Sequence, residues 1–188
     1  MFNEQELIIQ LRQKNEPAFR QLVEAYKNKV FATAVNILQD APEAEDVAQE
    51  VFIQVYESID RFREDASLQT WIYRITVRKA IDKLRMKKNR QRLAQFFPWW
   101  MPSEKNNEQV IYHHPGVQAE QKEKAAALFS ALKNLPPNQQ TAFTLIKVQG
   151  MRYDEVAAIM QIGIKALESL ISRAKINLQK QLEHHYRP

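Results

Sequence analysis

Between residues 43 and 58 the side chains Ala44, Val47, Ala48, Val51, Phe52 and Val55 return every three or four positions, with no glycine or proline among them. Only a helix, at about 3.6 residues per turn, gathers such residues onto one face. A stripe of that kind needs an apolar partner, so the chain must be built by packing helices against one another. The composition agrees. Three glycines in 188 residues are few for a turn-rich sheet protein, and a hydrophobic fraction of 45% is enough to close a core. The expected fold class is all-α, as two small helical domains joined by a flexible linker.

Local signals mark the helix ends. Asp40 is placed to cap the helix that follows, Pro42 sits where a first turn tolerates proline, and Glu43 suits a capping box. Upstream, Phe19, Leu22, Val23, Tyr26, Val30 and Ala34 fall at helical spacing. On the 43–58 helix a second face carries Asp46, Gln49, Glu50, Ile53 and Glu57, acidic with one aliphatic residue in its middle. Solvated surface is one reading of this face. The other is a docking surface for a basic partner.

A polar loop, Asp60 to Ala66, precedes Ser67, which can cap a third long helix buried at first by Leu68, Trp71, Ile72 and Ile75. From Arg74 to Arg92 nine basic residues accompany a single acid, Asp82. At about 100° per residue, Arg74, Arg78, Arg85 and Arg92 fall close to one line. A merely solvated helix mixes both signs, so a nucleic-acid backbone is the better match.

Residues 93–119 lose helical periodicity, hold three prolines, and read as a linker. Its aromatics Phe96, Phe97, Trp99 and Trp100 either pack on a domain or fill a site on a partner. Helical pattern resumes near Glu120, pausing at Pro136-Pro137 and Gly150. The segment Tyr153 to Ser172 then has helix-turn-helix spacing. Val156 and Met160 supply a core face, Ala157 the small residue at the crossing, Ile162 the turn, and Leu167 with Leu170 the underside of the second helix. Lys165, Glu168, Ser169, Ser172 and Arg173 would face a major groove, with Arg173 placed for a bidentate or phosphate contact.

Two stretches now carry a resemblance. APEAEDVAQEVFIQVYESIDRFR followed by SLQTWIYRITVRKAIDKLR resembles region 2 of the extracytoplasmic-function (group IV) sigma factors of the sigma-70 superfamily. LKNLPPNQQTAFTLIKVQGMRYDEVAAIMQIGIKALESLISRAKINL resembles their region 4, in the same order. The resemblance implies a sigma factor that binds core RNA polymerase and directs it to promoters of a specific regulon. It implies three parts, region 2 over 1–92, the linker over 93–119 and region 4 over 120–188. Asp46, Gln49, Glu50 and Ile53 would dock on the β′ clamp helices, and region 4 on the β flap. Arg61, Phe62, Arg63, Ser67, Arg74, Arg78, Lys79, Arg85 and Lys88 would engage the melted minus-ten element, the loop holding a flipped base. Lys165 to Arg173 would read the minus-thirty-five duplex, and an anti-sigma factor would be a further partner. The chain departs from the family pattern at Arg78, Leu170 and Glu168, positions that bear on the promoter sequence read. The alternative is a stand-alone helix-turn-helix regulator that needs no polymerase.

The remaining features exclude other classes. Without cysteine there is no disulfide, thiolate zinc site or cysteine nucleophile. The histidine pairs His113-His114 and His184-His185 stand away from any orienting acid, so no catalytic residue, metal site, cofactor or small-molecule substrate is expected. The amphipathic acidic N-terminus is no signal peptide, and no apolar run reaches the ~20 residues of a membrane span. The expected location is the cytoplasm. A net charge of +5 agrees weakly with polyanion binding.

Overall fold

Helix starts follow the capping chemistry of the chain. In the computed structural model, which describes residues 4–96 and 119–186, the Asn15 side chain accepts the Ala18 N–H at 2.9 Å and Asp40 accepts that of Glu43 at 3.2 Å. Ser67 Oγ accepts the Thr70 N–H at 3.2 Å. The order along the chain is α1 (Glu4–Arg12), α2 (Glu16–Leu38), α3 (Ala41–Ser58), a 3₁₀ turn (Ile59–Arg61) and α4 (Leu68–Phe96). There follow α5 (Ala119–Asn134), α6 (Pro137–Phe143) running into a π-helical turn (Thr144–Val148), α7 (Tyr153–Met160) and α8 (Ile164–Tyr186). No strand occurs among the described residues. The fold is all-α, as expected. Helix α4 continues to Phe96, four residues past the expected end of region 2 at residue 92 and into the expected linker, whose Phe97, Trp99 and Trp100 lie outside the described residues.

The apolar stripe of α3 closes a three-helix core. Val47, Val51 and Val55 of α3 are fully buried, against Leu22, Val30 and Ile37 of α2 and Leu68, Ile72 and Ala80 of α4. Each such side chain contributes about 1.5–3 kcal/mol by leaving water. A second cluster joins Ala131, Leu132 and Leu135 to Ala174 and Leu178 between α5 and α8.

The two halves share one core. Leu145, Val156, Ile159, Leu167 and Ile171 belong to the same apolar cluster as α2–α4. Gln140, wholly buried, donates from Nε2 to the Ile37 carbonyl at 2.9 Å. Arg74 donates to the Ala158 carbonyl at 3.0 Å, and Lys88 donates to the Leu135 carbonyl. Each of these cations meets the carbonyl end of a helix, where the dipole favours positive charge. No helix among the described residues is long and apolar enough to cross a membrane.

Candidate nucleic-acid interface

Helix α3 presents the acidic face that its periodicity predicts. Asp46, Gln49 and Glu50 are exposed, and Ile53 leaves 58% of its surface in water. Sequence reasoning missed Tyr56, three residues on from Ile53 and 42% exposed, its ring edge-on to Phe19 at 5.1 Å. The i, i+3 spacing could have found it. Glu50 is bonded across to Lys79 of α4 at 3.0 Å, with the Lys79 side chain only 24% exposed. Lys79 therefore ties α4 to α3 in this arrangement.

Between α3 and α4 the chain turns through a short loop. Arg61 and Arg63 are exposed and make no ion pair among the described residues. The Phe62 ring is 3% exposed and packs on Trp71 at 5.0 Å between centroids, so in this arrangement it belongs to the core. Ser67 is exposed, yet its hydroxyl is engaged with Thr70 as the cap of α4.

Along α4 the basic run divides by environment. Arg74, Arg78 and Arg85 border a cleft of about 610 Å³, with Arg61 and Arg63 on its rim and Met160 and Leu170 opposite. Arg78 and Arg85 are exposed. Arg74 is largely covered, bonded to Ala158 and 3.6 Å from Asp65. Lys88 turns inward to Leu135, and its burial pushes the ammonium pKa down. Lys87 lies 3.1 Å from Asp40 and 3.4 Å from Glu43. Burial pulls its pKa down, but the two carboxylates outweigh that and leave it raised. In this arrangement Arg61, Arg63, Arg78 and Arg85 face solvent, while Lys79, Lys87 and Lys88 bond to groups of the protein itself.

The helix-turn-helix forms over the expected span. After α7 the chain reverses at Gln161, whose φ of 55° places a non-glycine residue in the left-handed region. The Ile162 N–H reaches back to the Ala157 carbonyl at 3.1 Å and closes the turn. Val156, Ala157 and Ile159 are buried, and Met160, expected in that role, is half-buried. On α8 the buried stripe is Leu167, Ile171, Ala174 and Leu178, with Leu170 half-buried at its edge. The opposite face holds Lys165, Glu168, Ser172 and Arg173 exposed and Ser169 half-buried. A helix that turns such a face to solvent can enter a major groove, and its hydroxyls and guanidinium can donate to base edges and phosphates.

Known proteins share these features. The family model described as Sigma-70 region 2 matches residues 22–90, and that described as Sigma-70, region 4 matches residues 125–178. The RNA polymerase sigma-H factor of Pseudomonas aeruginosa is 30% identical over 187 residues, spanning 96% of this chain and 94% of that protein. The ECF RNA polymerase sigma-E factor of Haemophilus influenzae is 30% identical over 191 residues, spanning 96% and 95%. Among solved structures, the sigma factor RpoE in complex with the anti-sigma factor NepR from Bartonella quintana superposes with a TM-score of 0.59 at 23% identity, over 88% of this chain and 96% of that one.

Proposed function

The chain belongs to the extracytoplasmic-function sigma factors of the sigma-70 family, and from that premise we propose how its surfaces divide the work. It binds core RNA polymerase and directs promoter recognition and transcription initiation. The observation that carries the division is a separation of sign. An acidic face with an exposed aliphatic centre stands on α3, while exposed cations stand on the α3–α4 loop, on α4 and on α8.

Asp46, Gln49, Glu50 and Ile53 dock on the β′ clamp helices, with Tyr56 extending the apolar centre. Residues 1–92 form the unit that holds core and the minus-ten element, and residues 120–188 the unit that meets the β flap and the minus-thirty-five duplex. Arg61, Arg63, Arg78 and Arg85 hold the melted minus-ten strand. Arg74 and Lys88 join them once the C-terminal half lifts off α4, since both now bond its carbonyls. Lys165, Glu168, Ser169, Ser172 and Arg173 face the duplex. Neither half reads much DNA alone. Linking two weak sites raises the effective concentration of the second, so the spacing of the promoter elements becomes part of specificity. The chain works in the cytoplasm, an anti-sigma factor restrains it, and RNA synthesis itself is left to the core enzyme.

The test is a pulldown with core RNA polymerase followed by run-off transcription on fragmented genomic DNA, with start sites mapped by sequencing. Wild-type protein should retain core and give discrete starts. Ile53→Asp, placed on an exposed residue, should weaken core binding at least about tenfold, as expected for burying an unpaired charge at an interface. Full core binding by that variant, or starts independent of the added chain, would overturn the assignment.

A further inference from the structure

The loop sequence Asp60-Arg61-Phe62-Arg63-Glu64-Asp65 holds one more acid than base. Left to itself it would repel a DNA strand. In the folded chain each acid is matched by a cation from outside the loop. Asp60 lies 3.2 Å from Lys14, Glu64 is 2.8 Å from Arg12, and Asp65 is 3.6 Å from Arg74. Arg61 and Arg63 are left without an ion pair among the described residues and face solvent. Pairing thus turns a nominally acidic loop into one that shows two uncompensated guanidinium groups.

The N-terminal segment that supplies Arg12 and Lys14 also bonds backbone before the loop, within it and after it, in the last turn of α3, at Phe62 and at the start of α4. Lys14 Nζ donates to the Tyr56 carbonyl at 2.6 Å and sits 4.9 Å above that residue's ring. Arg12 Nη2 donates to the Phe62 carbonyl at 2.8 Å. Glu4 Oε1 accepts the Leu68 N–H at 2.8 Å, where α4 begins. Behind these polar ties α1 is seated by buried Leu7, Ile8 and Leu11. Glu64, the residue Arg12 pairs with, has φ 58°, a strained setting for an L residue that persists only where neighbours hold it. All of this segment precedes residue 22, where the region 2 match starts.

We propose that α1 is a brace that presets the α3–α4 loop for DNA, with Arg12 its principal positioning residue. The proposal rests on the reading of that loop as the minus-ten contact. Arg12 does not touch the strand. It fixes the Phe62 carbonyl and neutralises Glu64, so that Arg61 and Arg63 meet an unstacked base without the loop first having to be ordered.

The test uses holoenzyme and a forked-junction DNA built on a start site mapped as above, with 2-aminopurine at the unpaired non-template position. Alongside it, hydrogen–deuterium exchange is followed in the free chain. Arg12→Ala should speed exchange over residues 60–68 and cut forked-DNA affinity about tenfold, the size of one charge-assisted bond. The salt slope should stay as in the wild type, because no phosphate contact is lost. Arg61→Ala with Arg63→Ala should instead flatten it by about 0.7 per contact. Lys14→Ala, acting at the loop's entry, should shift exchange and affinity in the same direction as Arg12→Ala. Affinity for core serves as the folding control. Wild-type-like affinity in Arg12→Ala, or a flattened slope, overturns the brace. If wild-type holoenzyme leaves the 2-aminopurine stacked, the base-capture reading falls. The brace is then judged by exchange alone, and unchanged exchange over 60–68 removes it.

Discussion

Arg85 and Lys87 stand two residues apart in the basic run, yet the fold gives them opposite work, and paired substitutions should separate the two. The Arg85 side chain is 56% exposed, with Asp82 of the same helix 3.4 Å away. An exposed i, i+3 pair of this kind contributes about 0–0.5 kcal/mol, so Arg85→Ala should barely alter unfolding. Its effect should fall on DNA, where losing one phosphate contact reduces the salt slope by about 0.7–0.9. Lys87 instead bridges to Asp40, whose side chain is only 9% exposed and already caps α3, and to Glu43. Lys87→Met leaves that covered carboxylate without its counter-ion. A charge-assisted hydrogen bond is worth about 1.5–3 kcal/mol. Because Lys87 is itself 36% exposed, screening reduces the expected loss to about 1–2 kcal/mol. For a chain of this size that is a drop in Tm of about 2–8 °C. Thermal melting of the free chain gives one reading, and holoenzyme binding to a mapped promoter between about 50 and 200 mM salt gives the other. A flattened slope with unchanged melting for Lys87→Met, or the reverse for Arg85→Ala, would refute the reasoning.

Three further outcomes are expected. Gln161→Gly should stabilise the chain by about 0.5–1 kcal/mol in chemical denaturation, because glycine relieves the left-handed strain at φ 55° and gives back part of that in unfolded-state entropy; a destabilised variant would remove the strain argument. Gln140→Ala leaves the buried Ile37 carbonyl unpaired, so it should cost about 1–3 kcal/mol and lengthen the distance between fluorophores on α3 and α8; unchanged distance and melting would show that this bond does not hold the halves together. Lys87 has its folded pKa raised above 10.5, so its stabilisation is complete below that pH and is lost as pH climbs through the raised value. In strongly alkaline buffer the wild type should therefore lose its Tm advantage over Lys87→Met; an advantage that persists there would contradict the ion pair. Lys88, lowered by burial, works in the opposite sense, since its cost as a buried cation is relieved as pH rises.

Much of the molecule was legible in the chain because the deciding interactions are local. The caps Asp40 and Ser67 act on residues three positions away. The apolar stripes of α3 and α8 repeat within single turns, and the reversal after Met160 is set by a few neighbours. The exposure of Asp46, Gln49, Glu50 and Ile53 followed from the stripe on the other side of the same helix. So did that of Lys165, Glu168, Ser172 and Arg173.

Which cations are spent inside the protein was decided by partners far away in sequence. Lys79 meets Glu50 29 positions back, Lys87 meets Asp40 47 positions back, and Lys88 meets Leu135 47 positions on. Periodicity places such residues on a helix but says nothing of what the opposite wall offers. Phe62 reads as a loop aromatic until Trp71 covers it. Arg12 and Glu64 become neighbours only when α1 folds back across 52 residues. Helices, caps and the signs of the faces were thus determined by the sequence alone, through interactions within a turn or two. The choice of which charges remain free to meet DNA belonged to the tertiary structure, because a charge is neutralised by what lies beside it in space.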